Sequence, residues 1–221
     1  MKAIALLAIA GAAAVASAQT ARLEWQVSTD NGATWNSGLT TLTTGGTVQV
    51  RVLGSFNVAG GLGFAGAAFD ATVSNILAGD SVANFNRTFN FAAQTLAAST
   101  FGTTIKIDDN RDTLAPGAGT RWVQPSQGVP AFTPTFVTAN PAVLFTYDLT
   151  VSSEEGVRSI SHVGNGAAAG VVQIYTTANG GQARISNANT TVVGAQVEVI
   201  PAPGAVALLG LGGLVAGRRR R

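Results

Sequence analysis

Apolar and polar residues alternate one for one through most of this chain, and only extended backbone with one buried face satisfies a period of two. Residues 47–52 put Val48, Val50 and Val52 on one side. Ala67, Phe69, Ala71 and Val73 share a side opposite Asp70, Thr72 and Ser74. Val143, Phe145, Tyr147, Leu149 and Val151 form the longest run, opposed by Thr146, Asp148 and Thr150, and Val193, Ala195, Val197 and Val199 close the series. Shorter runs lie at 23–27, 85–91, 105–107, 157–163 and 171–176. No window away from the two ends repeats at the helical period. Short strands punctuated by Gly, Asn and Pro predict an all-β fold, an antiparallel β-sandwich of jelly-roll type. One core of this kind fits a single domain over residues 19–199.

The two ends are of another kind. Met1 and Lys2 precede an unbroken apolar run over 3–15, and Ala16, Ser17 and Ala18 follow. Basic, apolar and small segments in that order predict a secretory signal peptide over 1–18, cut by signal peptidase before Gln19. At the other end, Pro201, Ala202, Pro203 and Gly204 break any preceding strand. Residues 205–216 are apolar or glycine, and Arg218, Arg219, Arg220 and Arg221 finish the chain. A helix over 204–217 would span about 21 Å, less than the roughly 30 Å of a bilayer's hydrocarbon core. It would hold a membrane by local thinning or snorkelling, with the arginines as a stop signal kept inside. The sandwich is thus expected to be flanked by an N-terminal signal helix and a short C-terminal hydrophobic helix.

This three-part ending over residues 200–221 resembles the PEP-CTERM sorting signal of bacterial exosortase substrates. The family's Pro-Glu-Pro stands here as Pro201, Ala202 and Pro203. The resemblance implies an exosortase-like sorting enzyme as a partner and a protein sent to the cell surface or extracellular matrix. It leaves open whether the segment is cleaved or retained as an anchor in the membrane.

Charge narrows the partners once these ends are set aside. Of the 13 Lys and Arg, Lys2 and the four terminal arginines lie in them, whereas all 11 acidic residues lie in the body, whose net charge is therefore −3. No basic run remains, so nucleic acid is not an expected partner. The chain has no Cys, which leaves an exported domain dependent on its hydrophobic core and excludes thiol chemistry.

Local motifs read mainly as structure. Asn31-Gly32 between Trp25-Gln26-Val27 and Thr34-Trp35 signals a hairpin, because both central residues tolerate positive φ. The surrounding Ser28, Asp30, Gly32, Thr34 and Trp35 resemble the Asp box of sialidases and other propellers. A propeller requires repeated copies and there is one, so a braced hairpin is expected. Glu154-Glu155-Gly156 reads as a second hairpin turn. Asp108, Asn110 and Asp112 alternate as calcium ligands do, but Thr113 and Gly119 stand where such a loop needs Gly and Glu, so a solvated turn is expected. His162 is the only histidine and no Gly-x-Ser-x-Gly elbow occurs, so no enzyme and no cofactor are expected.

Residues 109–141 break the strand pattern with five of the seven prolines. Segments this long without strands bind something or cover something. Arg121, Trp122, Phe132 and Phe136 are therefore candidate ligand residues, with burial over a sheet edge as the simpler role.

The body also resembles a cohesin-like sandwich. Residues 47–53, the Gly-rich GFAGAAFDATVS over 63–74, residues 143–152 and the closing 195–199 follow that family's strand order. The resemblance implies a docking module and transfers no binding residue. Together these features predict an exported, non-enzymatic structural or adhesive protein. The alternative is a module that binds extracellular polysaccharide or a matrix protein through the 109–141 loop.

Overall fold

Fourteen strands lie among the described residues, the longer of them carrying β-branched and aromatic residues at every second position. The computed structural model describes residues 19–67, 69–87, 96–108, 138–164, 172–178 and 181–200. The strands are β1 (Thr20–Ser28), β2 (Leu39–Leu42), β3 (Gly46–Asn57), β4 (Gly63–Ala67), β5 (Phe69–Ser74), β6 (Ser81–Arg87) and β7 (Ala97–Phe101). There follow β8 (Thr104–Asp108), β9 (Ala142–Val151), β10 (Gly156–Gly164), β11 (Val172–Tyr175), β12 (Gln182–Ile185), β13 (Thr190–Val193) and β14 (Ala195–Val199). They form a five-stranded sheet ordered β13-β1-β3-β9-β6, a six-stranded sheet ordered β2-β14-β10-β5-β8-β7, and a small sheet ordered β12-β11-β4.

The two large sheets face each other across one core, which makes the fold a sandwich. The five-stranded sheet contributes Leu23, Trp25, Val27, Val48, Val50, Val52, Tyr147 and Leu149, and the six-stranded sheet contributes Phe69, Ala71, Val73, Ile105, Ile107, Ile160, Val197 and Val199. Trp25 stands at the centre, edge-on to Phe69 of the opposite sheet at 6.0 Å and to Tyr147 at 6.3 Å. Truncating an aromatic at such a site costs roughly 3–5 kcal/mol.

The predicted sandwich is present, with four differences of physical origin. Two pairings are parallel, β1 with β13 and β14 with β2, so the sheets are mixed rather than purely antiparallel. The expected run from Val193 to Val199 is two strands: Val193 ends β13 in one sheet and Ala195 begins β14 in the other. Gly194 makes that step, because a Cβ there would lie 2.9 Å from the Ile160 carbonyl oxygen. In β9 a bulge shifts the pairing with β3 between Val52 and Leu53, so Leu144 and Phe145 are both buried and Val143 is left half-buried. The turn at Glu154-Glu155-Gly156 is no hairpin, because β9 and β10, which it connects, belong to opposite sheets.

That crossing is held by a buried ion pair. The Arg158 guanidinium donates from Nε and Nη2 to the Asp80 carboxylate at 2.8 and 3.1 Å, and from Nη1 to the carbonyls of Glu154 and Gly156. Asp80 also accepts the backbone N–H groups of Leu77 and Ser152. Burial alone would raise the Asp80 carboxyl, but Arg158 and the two N–H groups outweigh it and the net shift is downward.

Candidate binding face

The Asp-box residues form the braced turn that the sequence predicts. Asn31 and Gly32 both have positive φ, at 55° and 86°. Asp30 accepts the Thr34 hydroxyl at 2.6 Å, the Thr34 backbone N–H at 2.8 Å and the Ser28 hydroxyl at 2.7 Å. Thr34 first, then Ser28, hold its carboxyl down to about 2. The returning arm is shorter than a hairpin: Val27 and Asn36 exchange both backbone bonds as an isolated bridge, and β2 then joins the other sheet. The turn's product is the placement of Trp35, whose indole N–H donates to the Gly32 carbonyl at 3.0 Å. The φ of 86° at Gly32 is what calls for glycine at that position.

Trp35 is the head of a row that runs along the solvent side of β1. The Arg51 guanidinium lies 4.1 Å above the Trp35 ring. Arg51 Nε donates to Gln26 Oε1 at 2.8 Å, and Gln26 Nε2 donates to Glu24 Oε1 at 3.2 Å. Glu24 Oε2 accepts Arg22 Nε at 3.1 Å and Nη2 at 2.8 Å. Arg22 first, then Ser37, lowers the Glu24 carboxyl. The row exists because Arg22, Glu24 and Gln26 alternate with buried Leu23, Trp25 and Val27. Register carries it across the sheet, with Gln26 opposite Arg51, Arg51 opposite Thr146 and Gln49 opposite Asp148. Beyond β9, Asn84, at φ 53° in the bulge of β6, donates to Asp148 at 2.7 Å. Thr47 and Thr150 hydroxyls meet at 2.9 Å. The face thus offers amides, hydroxyls, the Arg22–Glu24 ion pair and the amide-bonded charges of Arg51 and Asp148, a surface suited to hydrogen bonding with a partner.

The residues singled out in the sequence fall elsewhere. Arg121, Trp122, Phe132 and Phe136, together with Asn110 and Asp112, lie outside the described residues. So do Pro201, Ala202 and Pro203, Arg218, Arg219, Arg220 and Arg221, and both expected terminal helices. Asp108 is described, and it departs from the expected solvated turn. It ends β8, is buried, and pairs with the equally buried Lys106 at 3.0 Å. Among the described residues no group of three or more acidic or histidine side chains comes together. His162 is a core residue: its Nδ1 accepts the Trp25 indole N–H at 3.0 Å and its ring lies 4.9 Å from Phe69. Burial lowers it to about 4. Sequence reasoning passed over Arg22, Glu24, Gln26 and Arg51, whose signal was their phase opposite the buried residues of β1 and β3.

No protein-family model and no curated protein matches the chain. Solved structures similar to it include cohesins. The seventh ScaB type I cohesin from Pseudobacteroides cellulosolvens shares 11% identity, with 83% of this chain and 94% of that one covered at a TM-score of 0.46. CaCohA2 from Clostridium acetobutylicum shares 12%, with 81% and 90% covered at 0.43. A non-cellulosomal cohesin from the hyperthermophilic archaeon Archaeoglobus fulgidus shares 10%, with 86% and 96% covered at 0.36.

Proposed function

We propose that this chain is an exported, non-enzymatic structural or adhesive protein of the cell surface or extracellular matrix, with the solvent side of its five-stranded sheet as the contact face. The observation that carries this reading is the bonded row from Trp35 through Arg51, Gln26 and Glu24 to Arg22. Side chains already locked to one another lose little further freedom on binding, so a partner gains more of each new hydrogen bond. The one histidine has its Nδ1 committed to Trp25 inside the core, which supports binding rather than acid–base work. Export rests on the signal-peptide pattern over 1–18, and sorting rests on the PEP-CTERM-like ending with its exosortase-like enzyme and signal peptidase as processing partners.

Co-sedimentation of the purified exported protein with insoluble matrix from the producing cells tests the reading. The Trp35→Ala, Arg51→Ala double variant should bind about tenfold more weakly, the equivalent of ~1.4 kcal/mol. Undiminished binding by that variant would remove the face from the proposal. Recovery of the wild-type protein wholly apart from surface and matrix fractions would remove the role.

A further inference from the structure

The row along β1 ends at a hollow. The start of β1, the end of β3 and the start of β13 enclose a depression of about 300 Å³ lined by Thr20, Ala21, Arg22, Ser55, Phe56, Asn57 and Thr191, at the small end of the range for ligand pockets. Register explains its walls. Arg22 stands opposite Ser55 on one side and Thr191 on the other, and Thr20 stands opposite Asn57. Strand alternation places these five on the solvent side, since Ala21 is buried and Phe56 packs its ring against Phe64 at 5.0 Å. The hydroxyls of Thr20, Ser55 and Thr191 and the carboxamide of Asn57 make no hydrogen bond within the described residues, and Arg22 uses only Nε and Nη2, both on Glu24.

We infer that this hollow is a subsite for one neutral sugar residue of a polysaccharide. Hydroxyls and a carboxamide each donate and accept, which matches vicinal diols, whose oxygens do the same. Arg22 adds a donor, but Glu24 bound to it at 2.8 Å offsets its charge, so an anionic uronate gains little from Arg22 and meets the Glu24 carboxylate. Size admits one ring, and the adjoining row of Glu24, Gln26 and Arg51 continues hydrogen-bonding groups along β1 for the units on one side of it. This inference rests on the matrix reading and names its ligand class.

Calorimetric titration of the exported protein with cellohexaose, xylohexaose and mannohexaose, and with oligogalacturonate as the anionic probe, tests it. At least one neutral hexamer should bind, and oligogalacturonate should bind at least about tenfold more weakly. The triple variant Ser55→Ala, Asn57→Ala, Thr191→Val changes side chains that bond to nothing within the described residues, so its melting temperature should hold while its affinity falls about tenfold or more. Equal affinity in the variant, preference for the uronate, or no heat with any neutral hexamer up to its solubility limit would overturn the subsite. In each of these cases matrix co-sedimentation still judges the wider reading: retained matrix binding leaves that reading standing with a protein partner, and its loss ends both.

Discussion

His162 shows how much one buried side chain can impose. Its ring is packed between Trp25 and Phe69 and accepts the Trp25 N–H, so a proton on Nδ1 would remove the acceptor and place charge in the core. With the folded value near 4 against 6.5 for a free imidazole, the unfolded chain holds the proton more tightly. Stability from this residue is therefore complete above about pH 6.5 and declines as pH falls toward 4, by on the order of 3 kcal/mol at ~1.4 kcal/mol per pKa unit. Urea titrations at pH 7 and pH 4.5 should show that decline in the wild type and a smaller one in His162→Gln. Tyr147 carries the opposite kind of cost. Its hydroxyl is buried without a partner among the described residues, and burial pushes the phenol well up. Tyr147→Phe keeps the ring and deletes the unsatisfied group, so it should leave stability unchanged or raise it by about 1 kcal/mol in thermal unfolding.

Between elements, the Arg158–Asp80 pair braces the place where the chain changes sheets. It ties the turn before β6 to the crossing from β9 to β10 through bonds to Leu77, Ser152, Glu154 and Gly156. Removing one member leaves the other charged and dry, so Asp80→Ala should cost roughly 3–5 kcal/mol in urea unfolding. The Arg158→Met, Asp80→Leu double variant should lose less than the single. Because the Asp80 carboxyl is lowered in the fold, its contribution is present above the ordinary carboxylate range and fades as pH drops below it. Within the Asp-box turn the same logic is local. Asp30→Ala should release Trp35 from its position over Gly32, read as a change in indole fluorescence, because Asp30 carries three of the bonds that shape the loop.

At the scale of the whole molecule, the described body is a sandwich whose five-stranded sheet turns a bonded polar face to solvent. If it is exported as proposed, N-terminal sequencing of released material should begin at Gln19, and an intact start at Met1 on that material would refute the signal. Mass spectrometry of the same sample separates cleavage near Pro201 from a retained anchor. Alternation specified extended backbone and the buried faces of β1 and β3, and the Asn-Gly pair specified the tight turn at Asn31-Gly32, because side-chain period and local φ are properties of a few consecutive residues. In β5, Asp70 and Thr72 are buried as well as the alternating apolar residues. A few consecutive residues cannot say which strand lies beside which. The parallel pairings of β13 and β2, the sheet change at Gly194 and the crossing at Glu154 depend on partners more than a hundred positions away or in the opposite sheet. Asp108 was misplaced for that reason: the residues that follow it are polar, and only the assembled sheet buries it against Lys106. The proposed contact face is likewise a tertiary product. Trp35, Arg51 and Gln26 become one surface only when β3 lies antiparallel to β1 in the register that sets Arg51 opposite Gln26.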